Sequence, residues 1–538
     1  MKKELYLIRN IIGLSSLFLI GSCRSTDTEN TLSVNGSSAV SFNLLGSEYA
    51  DSGNLSRQAS SDKAGILNSA EKIQNYSILV TPSSVITAEL SPSADAAKIP
   101  VQASLGINPV AATPGNPITS GTKFRVIAYR GNGSYHTHQD YTVGQTATPM
   151  MLDGGAAYNI VVYSYGTASL PAISSGEQNN ISSATVNYDN NNRDFMYQKI
   201  SFTPNDTNST LNITLRHKIA QITTIINSTG FGYITSISGA VLTPHYSNGS
   251  FSLNTGIMSG RSATTSGNTL NFPSSGFPGS TQTASPVFVN ADTGGNAAGG
   301  FSAQVTMAGS TRTVSFPNSF KITPENKSNL TINLKRCGAY IGPNTDPANY
   351  KEFMCHNLGA DTSADAFTPA AAVHGAKYQW GAQTGETGRY ISQSSDQSNS
   401  GTIIGWNFTP KSDGSWSDTS KTANDPCPSG YRVPTKAQWQ AAIDNNNVER
   451  VGSWVSNGNY TTAIYFRNPS NTRTLMLPAA GFRVDFDSSL SLRGYAGNYR
   501  SSSVNTSSDT SNLIFISNNI TMFINSRAIG SSVRCISQ

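Results

Sequence analysis

A chain of 538 residues is longer than one hydrophobic core organises and points to about three or four domains. Charged residues make up 12% and hydrophobic ones 37%, which excludes the highly charged, weakly hydrophobic class of disordered chains and favours a folded protein rich in strands and turns. The formal charge of +5 includes Lys2, Lys3 and Arg9 against Glu4, so the remainder is nearly neutral; with no basic stripe, nucleic acid is excluded as a partner.

The first element is an export signal. Lys2 and Lys3 precede an apolar run from Ile11 to Ile20 that is too short to span a bilayer, and Gly21 and Ser22 give a peptidase access to the backbone before Cys23. Residues 1–22 therefore read as a lipoprotein signal peptide and Cys23 as the lipidated first residue of the mature chain. Ile20 stands where Leu is commoner, and an ordinary secretory signal leaving Cys23 free is the alternative. The polar residues 23–33 read as a tether. No long apolar stretch follows Ile20.

From about Val34 to Lys335 the pattern has a period of two with turn punctuation, as half-buried antiparallel strands require. Phe124, Val126 and Ala128 alternate with Arg125, Ile127 and Tyr129 ahead of a glycine-bearing turn. Tyr158 to Tyr165 is apolar or aromatic on both faces, as in a strand covered on two sides. Leu211, Ile213 and Leu215 alternate again, and the β-branched run from Ile219 to Ile226 disfavours helix. A boundary between two sandwiches is expected near Asn227. The stretches GTKFRVIAYRGNG (Gly121 to Gly133), LDGGAAYNIVVYSY (Leu152 to Tyr165) and LNITLRHKIAQITTIIN (Leu211 to Asn227) resemble the fimbrillin-like proteins of Bacteroidetes. That resemblance implies a tandem pair of β-sandwiches on a lipidated chain, trimmed in some members after an arginine and then polymerised by strand donation. Arg57 is a candidate trimming point. Asp27 and Glu29, just after Cys23, are compatible with surface export in such bacteria.

The last two-fifths of the chain differ in kind. All five tryptophans, Trp380, Trp406, Trp416, Trp439 and Trp454, lie there, with Cys337, Cys355, Cys427 and Cys535. Four cysteines in an exported domain, lacking close C-x2-C pairs, favour two disulfides over a zinc site. Three pairings are open, of which Cys337 with Cys355 and Cys427 with Cys535 is favoured. Thr435 to Gln438 has the form of a helix capping box, with Trp439, Ala442 and Ile443 at helical spacing behind it. The motifs EFMCHNLGA (from Glu352), YQWG (from Tyr378), DPCPSGYRVPTKAQW (from Asp425), LPAAGFR (from Leu477), GNYRSSS (from Gly497) and SVRC (from Ser532) resemble the Fibrobacter succinogenes major paralogous domain. The resemblance implies a C-type-lectin-like fold with few helices and long loops. Arg500 stands where that family usually has tryptophan.

The expected fold is therefore mostly β: two tandem antiparallel β-sandwich domains, residues 34–227 and 228–335, followed by an α+β C-type-lectin-like domain, residues 336–538. Sugar recognition needs exposed aromatics and planar polar groups. Trp406 and Trp416, in a Gly, Ser, Asp and Asn context, and Tyr499 and Arg500 are the candidate ligand-binding residues, while Trp380 and Trp439 are expected in the core. The lectin-type calcium motifs Glu-Pro-Asn and Trp-Asn-Asp do not occur. His136 and His138 share a strand face without a third ligand and are read as a solvated pair; His217 is read as a strand-edge residue and His356 as structural. With no G-x-S-x-G, H-E-x-x-H or P-loop pattern, no catalytic residue, metal or cofactor is assigned and the chain is not expected to be an enzyme. The expected function is that of a surface lipoprotein of the outer membrane, a fimbrial tip or accessory adhesin. Its partners would be a glycan or host protein and other pilus subunits. A structural subunit without ligand, and then an exported enzyme, are the rivals.

Overall fold

The computed structural model describes residues 36–50, 73–93, 115–191, 194–228, 231–307 and 309–538. Cys23 and Arg57 lie outside them. The described chain is mostly β, with two short α-helices, Gln393–Ser398 and Lys436–Asn445.

The first unit is a seven-stranded sheet in the order Tyr135–Thr142, Lys123–Arg130, Tyr158–Ser164, Met196–Phe202, Asn208–His217, Ser37–Glu48 and Met150–Asp153. The alternation seen in the sequence sends Phe124, Val126 and Ala128 into one core with Ile160, Val162, Ile213 and Leu215. Ile127, Tyr129, Val161 and Tyr163 enter a second core on the opposite face. The sheet curls around the first core: Phe42, on its sixth strand, meets Tyr141, on its first, with ring centroids 5.7 Å apart. The second core is closed by the small sheet of Thr185–Asp189, Asn248–Ser252 and Met258–Ser259, which brings in Val186, Phe251 and Met258.

The second unit packs two sheets on one core. One contains Thr281–Thr283, Ala220–Asn227, Lys327–Arg336, Ser84–Pro92 and Gln74–Thr81, with Val287–Val289 also on Ala220–Asn227. The other contains Asn268–Thr269, Ile234–Thr243, Gly299–Met307 and Ser310–Phe320. Ile86, Leu90, Ile222 and Ile332 of the first meet Leu242, Phe301, Val305 and Phe316 of the second. The expected division at residue 227 therefore does not fall between sheets, because Gln74–Pro92 and Ala220–Asn227 both belong with Lys327–Arg336. Nor is the pairing antiparallel throughout. Ser37–Glu48 runs parallel to Asn208–His217, and Ala220–Asn227 parallel to Lys327–Arg336. Local periodicity reports that a strand exists; its partner and direction are set by contacts far away in sequence.

Beyond Arg336 the regular structure breaks into two- and three-stranded sheets. The helix Lys436–Asn445 begins at the capping box read from the sequence, the Thr435 hydroxyl accepting from the Gln438 amide and the Gln438 side chain accepting from the Thr435 amide. Cys337 bonds to Cys355 and Cys427 to Cys535, the pairing favoured above. This head is fastened to the second unit. Val85, on a strand of that unit, is 1% exposed and sits in the head core with Cys337, Phe353 and Trp439. At the same hairpin tip, Pro82 and Ser83 carbonyls accept from the Cys355 and Cys337 amides at 2.7 and 2.8 Å.

A loop-rich domain has many carbonyls without ladder partners, and guanidinium groups carry enough donors to satisfy several at once. Arg500, 0% exposed, donates to the carbonyls of Tyr378, Ser526, Arg527 and Ile529. Arg534 does the same for Met354 and Cys355 and holds the Asn357 amide oxygen. Burial with no carboxylate in contact pulls these guanidinium groups down to about 9 and about 10.

Candidate functional site

Three places bear on function: the head residues selected above, the seat of the N-terminal strand, and the junction where that strand ends.

The four head candidates are interior residues. Trp406 is 5% exposed and Trp416 1%, and their indole N–H groups donate to the carbonyls of Ala528 and Asn424. Tyr499, 0% exposed, donates to the Pro478 carbonyl and accepts from the Asn357 amide, and Arg500 is the carbonyl hub already described. The polar context of Trp406 and Trp416 is that of loops folded over them, so neither indole face is offered to a ligand. Trp380 and Trp439 are core, as expected. The most exposed large apolar groups of the head are others: Ile404 is fully exposed and Phe486 78% exposed. They stand on loops tied together by the Ser488 hydroxyl, which accepts from the Ile403 amide at 2.7 Å, and by the Leu490 amide donating to the Ser400 carbonyl.

The strand Ser37–Glu48 occupies an interior position of its sheet. Asn208–His217 pairs along one side of it, and Met150–Asp153 along the first four residues of the other. It places Val40 and Phe42 in the core beneath the curled sheet and presents Asn43 to Asn212 on the outside. Arg216 holds Glu48 at 2.9 Å. The chain then crosses to the second unit, where the Ala50 amide donates to the Glu325 carbonyl.

At that crossing lies a cleft of about 340 Å³ lined by Tyr49, Asn116, Asp194, His217, Gln221 and Phe288. Tyr49 stacks on His217 with centroids 4.0 Å apart, and Asp194 Oδ1 lies 2.6 Å from His217 Nδ1. His217 is thus a buried, oriented residue of the junction. No local pattern signals this, because Tyr49, Asp194 and His217 are brought together only by the sheet order.

Two further histidines hold local partners. His138 Nδ1 lies 2.8 Å from the Tyr135 hydroxyl, and His356 Nε2 is 2.9 Å from the Ala364 carbonyl. Among the described residues no group of three His, Cys, Asp or Glu is placed to hold a metal ion, and no helix is long and apolar enough to cross a membrane.

A charged cluster in the head also escaped the sequence reading. Ser392 caps the helix Gln393–Ser398 and so turns Asp396 inward, where Arg483, Arg493 and Lys377 surround it at 2.7, 3.0 and 3.5 Å. Burial pushes the Asp396 carboxyl up, but Lys377 and Arg483, with Arg493, more than reverse this and hold it below the usual carboxylate range. Burial lowers the Lys377 ammonium against the opposing pull of Asp396. His374 beside them is pushed down to about 3, by burial first and then by Lys377 and Arg493.

No family model matches the chain, and no curated protein matches it. Among solved structures it is similar to a candidate cell adhesion protein of Bacteroides fragilis NCTC 9343, at 14% identity over 43% of this chain and 88% of that one, with a TM-score of 0.29. A fimbrial assembly protein of Parabacteroides distasonis ATCC 8503 matches at 10% identity over 41% of this chain and 90% of that one, with a TM-score of 0.27. A candidate polysaccharide binding protein of Bacteroides thetaiotaomicron VPI-5482 matches at 12% identity over 39% and 82%, with a TM-score of 0.25. At these scores the likenesses carry no argument about what this chain does.

Proposed function

We propose that the chain is a surface lipoprotein, anchored to the outer membrane through Cys23, that serves as an accessory or tip adhesin of a pilus. The observation that carries this reading is the seat of Ser37–Glu48. A strand near the N-terminal end fills an interior position of a sheet and is followed by Arg57, so one cut after Arg57 leaves it held by non-covalent contacts alone: backbone pairing, Val40 and Phe42 in the core, the Glu48–Arg216 ion pair and the Tyr49–His217 stack. Its loss opens two strand edges and an apolar groove, to which an extended segment of another subunit can add. The strand Ile536–Ser537 is committed to the head, pairing with Tyr431–Arg432 beside the Cys427–Cys535 bond. The exchangeable strand identified is thus the N-terminal one, which makes the chain an acceptor and suits a terminal place in a filament. The C-terminal lectin-like domain supplies recognition of a glycan or host protein through its exposed loops, among them those bearing Ile404 and Phe486. The protein is read as a non-enzyme.

The test cuts the full chain with an arginine-specific protease and offers a fluorescent peptide spanning residues 37–50. Uptake by the trimmed protein, and none by the uncut protein or by Arg57→Ala treated alike, supports the acceptor reading. No uptake by protein shown to be cut after Arg57 refutes it. A second reading, a structural pilus subunit without ligand, is favoured by the burial of Trp406, Trp416, Tyr499 and Arg500. It becomes the better account if the trimmed protein takes up the peptide yet binds no glycan on an array and no host-cell surface.

A further inference from the structure

One sheet of the head ends in an open strand. Gly497–Val504, Asp509–Phe515 and Ile520–Ser526 follow one another in that order, so Ile520–Ser526 is paired on one side only. Its hydrogen-bonding phase is fixed at both ends: the Ile516 amide donates to the Asn519 carbonyl and the Arg527 amide to the Ser508 carbonyl. Bonded pairs recur at every second residue of an antiparallel ladder. Thr521, Phe523 and Asn525 therefore turn their backbone groups to Asp509–Phe515, and Met522 and Ile524 turn theirs outward. Among the described residues no group bonds to the Met522 and Ile524 amides or to the Ile524 carbonyl. Ile520 and Met522 pack on the head core, while Ile524 on the same face is 50% exposed and Phe523 on the other face 54% exposed.

Native edge strands are kept from pairing with other chains by charge, proline, bulges or groups that cover them. Other edges of this molecule are so treated. Tyr135–Thr142 carries Asp140, Ser310–Phe320 carries Arg312 and Pro317, and Asn447–Val451 carries Glu449 and Arg450. Gln74–Thr81 has a register shift, and the Gln74 side chain bonds to both the amide and the carbonyl of Lys321. Ile520–Ser526, with the sequence ITMFINS, has no charge, no proline and no register shift.

We propose that this edge is a self-association surface, at which a second copy of the chain adds its own Ile520–Ser526 antiparallel about a two-fold axis beside Phe523. In that register Met522 of one copy exchanges backbone hydrogen bonds with Ile524 of the other, and the two Phe523 side chains face each other across the axis. Charge selects a second copy as the occupant. The strand is neutral, so its own repeat brings no like charges face to face. The groups bordering it differ in sign: Arg450 donates to the Ile516 carbonyl at the hairpin end, and Asp509 stands opposite Ser526 at the other, where Asp413 is already paired with Arg527. A two-fold axis brings the Arg450 end of each copy to the Asp509 end of the other, so the ends attract. The three-stranded sheet then runs on through two heads, and one complex presents two recognition surfaces.

The experiment is sedimentation equilibrium of the uncut chain, in which Ser37–Glu48 keeps its seat and strand exchange does not contribute. Between about 1 and about 100 μM the mean mass should rise from that of one chain toward that of two. Phe523→Lys sets two ammonium groups face to face and should raise the dissociation constant by about 30-fold or more. Arg450→Glu and Asp509→Arg should each weaken the dimer roughly 2- to 5-fold, and the two together should restore it. A single-chain mass throughout the range overturns the proposal, as does a dimer that Phe523→Lys leaves intact or growth that does not stop at two chains. A measurement on the wild-type chain alone covers variants that fail to fold. Hydrogen exchange read by mass spectrometry should slow in peptides covering residues 520–526 as concentration rises, and exchange there that ignores concentration overturns the proposal as well.

Discussion

Val85 tests whether the head and the second unit behave as one body. The residue belongs to the strand Ser84–Pro92, yet its side chain, 1% exposed, is packed in the head core with Cys337, Phe353 and Trp439. Val85→Ala removes two methyl groups, about 1.6 kcal/mol at ~0.8 each. The cavity left adds about 1 kcal/mol, since the surrounding core, which includes the Cys337–Cys355 disulfide, collapses only in part. The total, about 2 to 3 kcal/mol, corresponds to an opening equilibrium raised roughly 30- to 150-fold. Hydrogen exchange read by mass spectrometry reports where that opening occurs. The expected result is faster exchange in head peptides around residues 353–358 and 533–537 as well as in the hairpin itself, because the Cys355 amide is protected by the Pro82 carbonyl and the Met354 amide by the Cys535 carbonyl. Faster exchange confined to residues 74–92, with the head unchanged, would refute the argument that the hairpin tip is part of the head core.

Removing the Cys427–Cys535 bond, which closes a loop of 108 residues, should cost about 4 to 5 kcal/mol by loop entropy, against about 3 kcal/mol for Cys337–Cys355 with its loop of 18. Denaturant midpoints of the paired Cys→Ser variants check that order, and the reverse order would show that loop length does not govern it. His374 is neutral when folded down to about pH 3, whereas the unfolded chain takes up its proton near pH 6.5. Stability is therefore fully present above about pH 6.5 and falls by up to about 1.4 kcal/mol per unit as the pH drops toward 3, a slope that His374→Leu should flatten. Asp396→Asn removes the single carboxylate facing Lys377, Arg483 and Arg493 and should cost about 3 to 5 kcal/mol at neutral pH. A loss below about 1 kcal/mol would mean that the cluster is not held by charge.

What could be read in advance was what local sequence controls. The alternation at Phe124 to Tyr129 gave a strand, and Thr435 with Gln438 gave a helix start, because a strand's two faces and a helix's first turn are decided within a few residues. What failed depended on distance. Ala220–Asn227 reads as a continuation of the strand before it, yet it turns away to pair with a segment about a hundred residues later. The Gly, Ser, Asp and Asn around Trp406 and Trp416 favour exposure when read locally. Those residues instead build loops that fold back and give the indole N–H groups carbonyl partners. The Asp396 cluster had no signature at all, since Lys377, Asp396, Arg483 and Arg493 share neither a motif nor a period.

The junction between the second unit and the head follows from the same long-range order and constrains the proposed role. The chain leaves the strand Lys327–Arg336 directly into Cys337, with no linker. Beside this covalent path the hairpin tip supplies a second one: the Ser83 hydroxyl donates to Glu352 at 2.5 Å and accepts from the Tyr431 hydroxyl at 2.9 Å, and Arg336 pairs with Glu352. Cys337–Cys355 ties together the two backbone amides that the tip carbonyls accept from, so neither hydrogen bond can lengthen without straining the other. Load applied to the head is then shared between the chain and the hairpin rather than carried by one flexible crossing. An adhesin held under flow needs its recognition surface kept in fixed orientation to the shaft, and a head joined by two paths, one braced by a disulfide, meets that need where a Gly/Ser tether would not.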